Sequence, residues 1–169
     1  DGKSIAFVGD LARGRTVRSL ATLLTHFEGV RQTFVAPRAL QLGEDILEEL
    51  NRAGTDIQQT HRFEDVIPEV DAIYMTRIQD EWDQEAGESD RIDISKYSFT
   101  ADHLSKLKMN AVLMHPLPRR QEIDIAVDKD PRAIYWRQVR NGMWIRVALI
   151  AATFGIDDEI MNYAKLNLV

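Results

Sequence analysis

The sequence predicts an α/β fold, a doubly wound (Rossmann-like) three-layer domain around a central parallel sheet. Short apolar runs bounded by turn residues recur along the chain, and each is followed by a stretch whose apolar residues repeat with helical period. That alternation favours βαβ units, whose crossover helices cover a parallel sheet on both faces. The composition, 44% hydrophobic and 28% charged over 169 residues, supplies one globular core.

The first predicted strand is Ile5-Ala6-Phe7-Val8, ending at Gly9-Asp10. After Gly14, residues Val17, Leu20, Ala21, Leu24 and Phe27 fall on one helical stripe, with Gly29 as the stop. A second strand, Thr33-Phe34-Val35-Ala36, halts at Pro37, and a helix turning Ile46, Leu47 and Leu50 inward closes at Gly54. A weaker third strand lies around Ile57. Ala72-Ile73-Tyr74-Met75 and Ala111-Val112-Leu113-Met114 are wholly apolar and of strand length, and read as central strands. Between them, Asp80, Glu81, Asp83, Glu85, Glu88, Asp90 and Asp93 are offset only by Arg91, which reads as a long solvated loop. A last helix is expected to begin near Pro131. Over residues 143–154 it is apolar almost all round, interrupted only by Arg146 and Thr153, so it needs cover on more than one side.

Several functional classes are disfavoured. A net charge of -6 opposes binding to nucleic acid or to an anionic membrane, and no window is as long and apolar as a membrane span. The start has no apolar signal-peptide core, and a cytoplasmic location is the expectation. The absence of cysteine removes disulfides, thiolate metal sites and a cysteine nucleophile, and the 4 histidines have no metal-ligand spacing. Gly9 and Gly14 do not make the dinucleotide fingerprint, and no Lys-Ser/Thr pair makes a P-loop, so no cofactor is expected.

In open parallel sheets, ligands bind beyond the carboxyl ends of the strands. Three predicted strand exits carry polar or proline-stiffened residues: residues 9–17, Thr76-Arg77-Ile78-Gln79, and His115-Pro116-Leu117-Pro118-Arg119. Arg15 stands at a helix N-terminus, where it either grips a carboxylate or is a solvated first-turn residue. Arg77 directly follows an apolar strand and needs an anion, either a ligand or an internal partner such as Asp71 or Asp10. Gln79, two residues on, can point the same way. Two arginines on one rim suit a dicarboxylate. The two prolines after His115 remove N–H donors and hold carbonyls out for an amide or ammonium group; the alternative is a rigid strand exit around a satisfied His115.

The stretches Phe7-Val8-Gly9-Asp10-Leu11, Gly14-Arg15-Thr16-Val17, Tyr74-Met75-Thr76-Arg77-Ile78-Gln79, His115-Pro116-Leu117-Pro118-Arg119, Asp128-Lys129-Asp130-Pro131-Arg132-Ala133 and Asn141-Gly142-Met143 stand in order over nearly the whole chain. Together they closely resemble the second, aspartate-binding domain of aspartate carbamoyltransferase. The resemblance implies transfer of the carbamoyl group from carbamoyl phosphate to L-aspartate in pyrimidine synthesis, without a cofactor or covalent intermediate. It further implies that Arg15 and Arg77 hold the aspartate carboxylates, that Gln79 places the substrate, and that the carbonyls of Leu117 and Pro118 receive the carbamoyl amino group. Catalysis in that family is mostly positioning and charge stabilisation. Ornithine carbamoyltransferases are similar in fold but typically carry a cysteine in the loop matching His115-Pro116-Leu117-Pro118, which this chain lacks.

Residues 1–169 are therefore expected to form the aspartate-binding half. The family's Ser-Thr-Arg-Thr phosphate loop, and the serine and lysine loop lent between subunits, do not occur in the sequence. The chain is accordingly expected to be inactive alone, and the intact enzyme of the family is a homotrimer. Where the family usually has basic residues after the Thr-Arg-Ile-Gln run, this chain has Asp80-Glu81-Trp82. A non-catalytic assembly module offering its apolar helix to a partner is the alternative.

Overall fold

In the computed structural model, which describes residues 1–83, 87 and 92–167, the strands are β1 (Ser4–Val8), β2 (Arg31–Val35), β3 (Asp56–Thr60), β4 (Ala72–Met75) and β5 (Val112–Met114). They form one five-stranded sheet in the order β3-β2-β1-β4-β5, and every pairing is parallel. Helices α1 (Arg15–Leu24), α2 (Glu44–Arg52) and the short α3 (Phe63–Val66) provide crossovers between the first four strands. Because alternate strand residues face opposite ways, the sheet buries two separate apolar layers. One gathers Ile5, Phe7, Phe34 and Tyr74 with Val17 and Ala21 of α1 and Leu50 of α2. The other gathers Ala6, Val8, Ile73 and Met75 with Phe63, Ile67, Phe99 and Val127. With both faces covered, the domain is doubly wound, as predicted.

Phe7 shows how register becomes packing. It pairs with Phe34 on one side and Tyr74 on the other, and its ring stacks on Phe34 at 5.2 Å with an interplanar angle of 10°. Truncating such a fully buried ring to alanine costs about 3–5 kcal/mol.

Several boundaries differ from the sequence expectation. Helix α1 stops at Leu24, with Thr25 as its cap, and Phe27 is 49% exposed instead of continuing the buried stripe. The reason is local: residues 25–27 close tight turns onto Thr22, Leu23 and Leu24, while the chain start pins the next residue through Gly2 N–H to the Glu28 carbonyl. Strand β5, read as central, is the last strand of the ladder. Its outer edge is partly taken by the segment around Pro131, since Leu113 N–H donates to the Arg132 carbonyl and Ile134 N–H to the Leu113 carbonyl. A turn closed by Ala133 N–H on the Asp130 carbonyl and the bridge of Ala133 to Leu113 occupy this stretch, so the final helix begins at Tyr135, not near Pro131. In the acidic segment, Asp80–Trp82 forms a short 3-10 turn; Glu85, Glu88, Asp90 and Arg91 lie outside the described residues. Asp80, Glu81 and Asp93 are exposed as expected, but Asp83 is largely covered and paired with Arg13.

The chain comprises two units, Asp1–Tyr135 and Trp136–Val169. The second consists of α4 (Tyr135–Phe154), which runs into it, and α5 (Asp157–Asn167), joined by Gly155 in the left-handed region at φ 66. Helix α5, with acidic residues filling its first turn, was not anticipated. Trp144, Ile145, Leu149, Ile150 and Phe154 of α4 are exposed, and no helix among the described residues is long and apolar enough to cross a membrane.

Candidate functional site

The chain leaves β1 toward β2 on one side, while β4 and β5 lie on the other, which makes the β1/β4 boundary the topological switch point where ligand crevices open. The two strand exits are fastened to each other there. A side chain on Gly9 would put its Cβ 2.2 Å from the Thr76 carbonyl oxygen, so only glycine lets the segments approach this closely. Thr76 N–H and its hydroxyl both donate to the Val8 carbonyl, at 2.8 and 3.0 Å. Asp10, fully buried, accepts from Arg13 N–H at 3.0 Å and from Gln79 N–H at 3.1 Å, and so ties the loop before α1 to the loop after β4. Burial pushes the Asp10 carboxyl above the ordinary range, only partly offset by those two N–H donors and the nearby arginines.

Over this boundary lies a cleft of about 310 Å³ lined by Arg15, Arg77, Gln79, His115, Leu117 and Pro118, among others. The expected substrate contacts Arg15, Arg77, Gln79, Leu117 and Pro118 thus line one cleft from three strand exits, while Arg119 is turned to Asp128 and Tyr135. Arg15 is the first residue of α1, exposed, with no side-chain hydrogen bond or ion pair among the described residues. Arg77 is already engaged. Its Nη1 donates to Glu81 Oε2 at 2.8 Å and to the Ile78 carbonyl at 3.0 Å, its Nη2 bonds the other Glu81 oxygen, and Asp80 lies 3.8 Å away. The internal partner of Arg77 is therefore Glu81, neither Asp71 nor Asp10: Asp71 is bonded to Ser4 and Lys108, and Asp10 to backbone N–H groups. Arg77 draws the Glu81 carboxyl down to about 2.

The exit from β5 is held from within. His115 is fully buried; its Nδ1 accepts from Leu117 N–H at 2.8 Å, which leaves Nε2 carrying the proton toward Glu122 Oε1 at 2.7 Å. Burial would raise the Glu122 carboxyl, but the His115 bond and the Arg120 N–H outweigh it and hold the carboxyl below its usual range. His115 is thus the satisfied residue of a rigid strand exit, and it lines the cleft in that role. At the other end of the exit, Arg119 Nη2 donates to Asp128 Oδ2 at 2.6 Å and its Nη1 to the Tyr135 hydroxyl at 3.0 Å, with the guanidinium over the Tyr135 ring. Leu117, between these anchors, takes a left-handed φ of 55.

Glu81, Glu122 and the clamping role of Asp10 were not read from the sequence, because whether a segment turns back to pair Glu81 with Arg77, or Glu122 with His115, is set by its folded path. Among the described residues, no group of three or more His, Cys, Asp or Glu side chains is placed to hold a metal.

Residues 1–153 match the family model described as Aspartate/ornithine carbamoyltransferase, Asp/Orn binding domain. The aspartate carbamoyltransferase catalytic subunit of Vibrio cholerae is 49% identical over 152 residues, covering 89% of this chain and 48% of that protein. The chloroplastic aspartate carbamoyltransferase of Arabidopsis thaliana is 44% identical over 155 residues, covering 89% and 38%. Among solved structures, the catalytic subunit of M. Jannaschii aspartate transcarbamoylase superposes with a TM-score of 0.82 at 35% identity, over 94% of this chain and 51% of that one. Aspartate transcarbamoylase from Trypanosoma cruzi in complex with carbamoyl phosphate and aspartate gives 0.78 at 38% identity, over 89% and 48%. The chain spans about half the length of the curated bacterial relatives it matches. It belongs to the aspartate/ornithine carbamoyltransferase family, through that family's Asp/Orn binding domain.

Proposed function

We propose that this chain is the aspartate-binding half of an aspartate carbamoyltransferase. One observation carries the reading: Arg15, Arg77 and Gln79 share a single cleft with the segment His115-Pro116-Leu117-Pro118. Arg15 and Arg77 hold the two carboxylates of L-aspartate, and Gln79 steadies the amino acid between them. The α-amine then attacks the carbonyl carbon of carbamoyl phosphate. A C–N bond forms, the bond from that carbon to the phosphate oxygen breaks, and phosphate leaves carrying the proton that the amine gives up. The carbonyls of Leu117 and Pro118 receive the carbamoyl amino group, and the rigid exit around His115 keeps them in place.

The chain contributes positioning, with no cofactor, no metal and no catalytic side chain of its own beyond substrate placement. The carbamoyl-phosphate half lies outside this chain, so the chain is inactive alone and works as part of a homotrimer in the cytoplasm, with neither nucleic acid nor membrane as partner. The Trypanosoma cruzi relative, solved with both substrates, supports the ligand assignment. Isothermal titration with succinate and L-aspartate tests it: Arg77→Ala should weaken binding by roughly tenfold or more. Carbamoyl-aspartate formation by the isolated chain at an ordinary enzyme rate would refute inactivity alone.

A second reading has one observation in its favour. The exposed Trp144, Ile145, Leu149, Ile150 and Phe154 suit a non-catalytic module that assembles with a partner through α4. Absence of any response to aspartate or succinate would favour it.

A further inference from the structure

Beside the cleft just described lies another, of about 280 Å³, and Arg77 is a wall of both. Arg120 and Asp80 also line it, with Ile78, Ile92 and Ile94 as its apolar surface. Arg120 Nη1 donates to Asp80 Oδ2 at 2.8 Å, and the other oxygen of Asp80 stands 3.8 Å from Arg77 Nη1. One carboxylate therefore sits between two guanidinium groups that come from different strand exits, Arg77 after β4 and Arg120 after β5. Its neighbour Glu81 occupies the fork of Arg77. Asp80 and Glu81 thus engage the guanidinium groups of Arg120 and Arg77 from within the chain.

We propose that Arg120 is a further carboxylate-binding residue of this site, and that Asp80 is an internal carboxylate holding Arg120 until a dicarboxylate ligand displaces it. The inference rests on the dicarboxylate reading of the cleft and adds to it a residue that no sequence motif marked.

Three features make the exchange physically reasonable. The side chains of Arg120 and Asp80 are 55% and 48% exposed, so solvent screens their pair and little is lost when it opens. The root of Arg120 is nevertheless fixed, because its N–H donates to the buried Glu122 at 3.0 Å, leaving only the outer side chain to swing. Glu122 also lines the second cleft, but its carboxylate is committed to His115 and to that N–H, so it does not compete for Arg120. An entering carboxylate exchanges one charge-assisted bond for another and gains the bidentate geometry that a guanidinium fork offers.

The test is a double-mutant cycle on the full chain, titrated with succinate. Asp80→Asn should tighten succinate binding roughly three- to tenfold, and Arg120→Gln should weaken it by a comparable factor. In the Asp80→Asn, Arg120→Gln double variant the gain should vanish, because the freed guanidinium is gone. A gain of equal size in the Arg120→Gln background would mean that Asp80 acts only by its negative charge, and would overturn the proposal. So would no gain from Asp80→Asn. Arg120→Lys keeps the charge without the fork and should recover only part of the binding; thermal melts of each variant confirm that the fold is intact. Arg15→Gln separates the two levels of inference. Succinate binding that needs Arg15 but ignores Arg120 removes this proposal alone, whereas no binding by the parent chain or by Asp80→Asn removes the dicarboxylate reading and this proposal together.

Discussion

The exits from β4 and β5 face the same cleft and are held by opposite means. After β5, a buried histidine joins a backbone N–H to a buried glutamate, and Arg119 locks the far end onto Asp128 and Tyr135. After β4, Arg77 is held by Glu81, and Asp80 by Arg120, all on side chains that water reaches. A buried polar pair cannot be opened without leaving a charge or donor stranded in a low-dielectric interior, whereas an exposed ion pair exchanges partners at little cost. One exit is thus a fixed frame for backbone carbonyls, and the other a set of guanidinium groups that can trade an internal carboxylate for an external one.

The comparison is broken most severely at His115. His115→Ala strands Glu122 and frees the Leu117 N–H, and should lower the unfolding free energy by about 3–5 kcal/mol in a urea titration. A loss no larger than that of a surface substitution would mean that the frame is not set by this pair.

Acid should act next. Glu122, Asp128 and Asp130 all have carboxyls held below their ordinary values of 4.5, 3.8 and 3.8. For a group depressed in the folded state, the unfolded chain binds more protons as pH falls, so its stabilisation is complete above the unfolded value and is lost as pH drops through the folded one. Urea midpoints should therefore be level near neutrality and decline from about pH 4.5 downward. Asp10, raised by burial, works in the opposite sense and softens the decline. In His115→Ala, where the main group lowering Glu122 is missing, the acid decline should be shallower.

The smallest effect belongs to the other exit. Asp80→Ala should change unfolding free energy by no more than about 0.5 kcal/mol, because it removes only an exposed pair. A larger loss would show that the β4 exit is also part of the frame.

Much of the fold was legible because burial leaves a mark on single segments. The run Ala72-Ile73-Tyr74-Met75 is β4 residue for residue, since a strand covered on both faces must be apolar throughout. Strand β3, with Gln58 and Gln59 in its middle, read weakly because it is an edge strand with exposed positions. Phe27 misled for the converse reason: it keeps the helical period, but turns closed by backbone bonds end the helix before it. Pro131 misled because Ala133 after it bridges to Leu113, a residue far away in sequence. That Arg77, Gln79, Leu117 and Pro118 share a cleft with Arg15 followed from local position, the first four after apolar strands and Arg15 at the start of α1.

By itself the sequence determined the α/β alternation, the strand exits and the arginines, glutamine and prolines that stand on them, because these follow from local period and from residue chemistry. Only the tertiary structure decided that the segment after β4 turns Glu81 onto Arg77, that Asp80 lies between Arg77 and Arg120, and that His115 Nε2 faces the Glu122 carboxylate. Charge pairing is set by distance in space, and a sequence of one chain orders residues along the backbone without saying which loops meet.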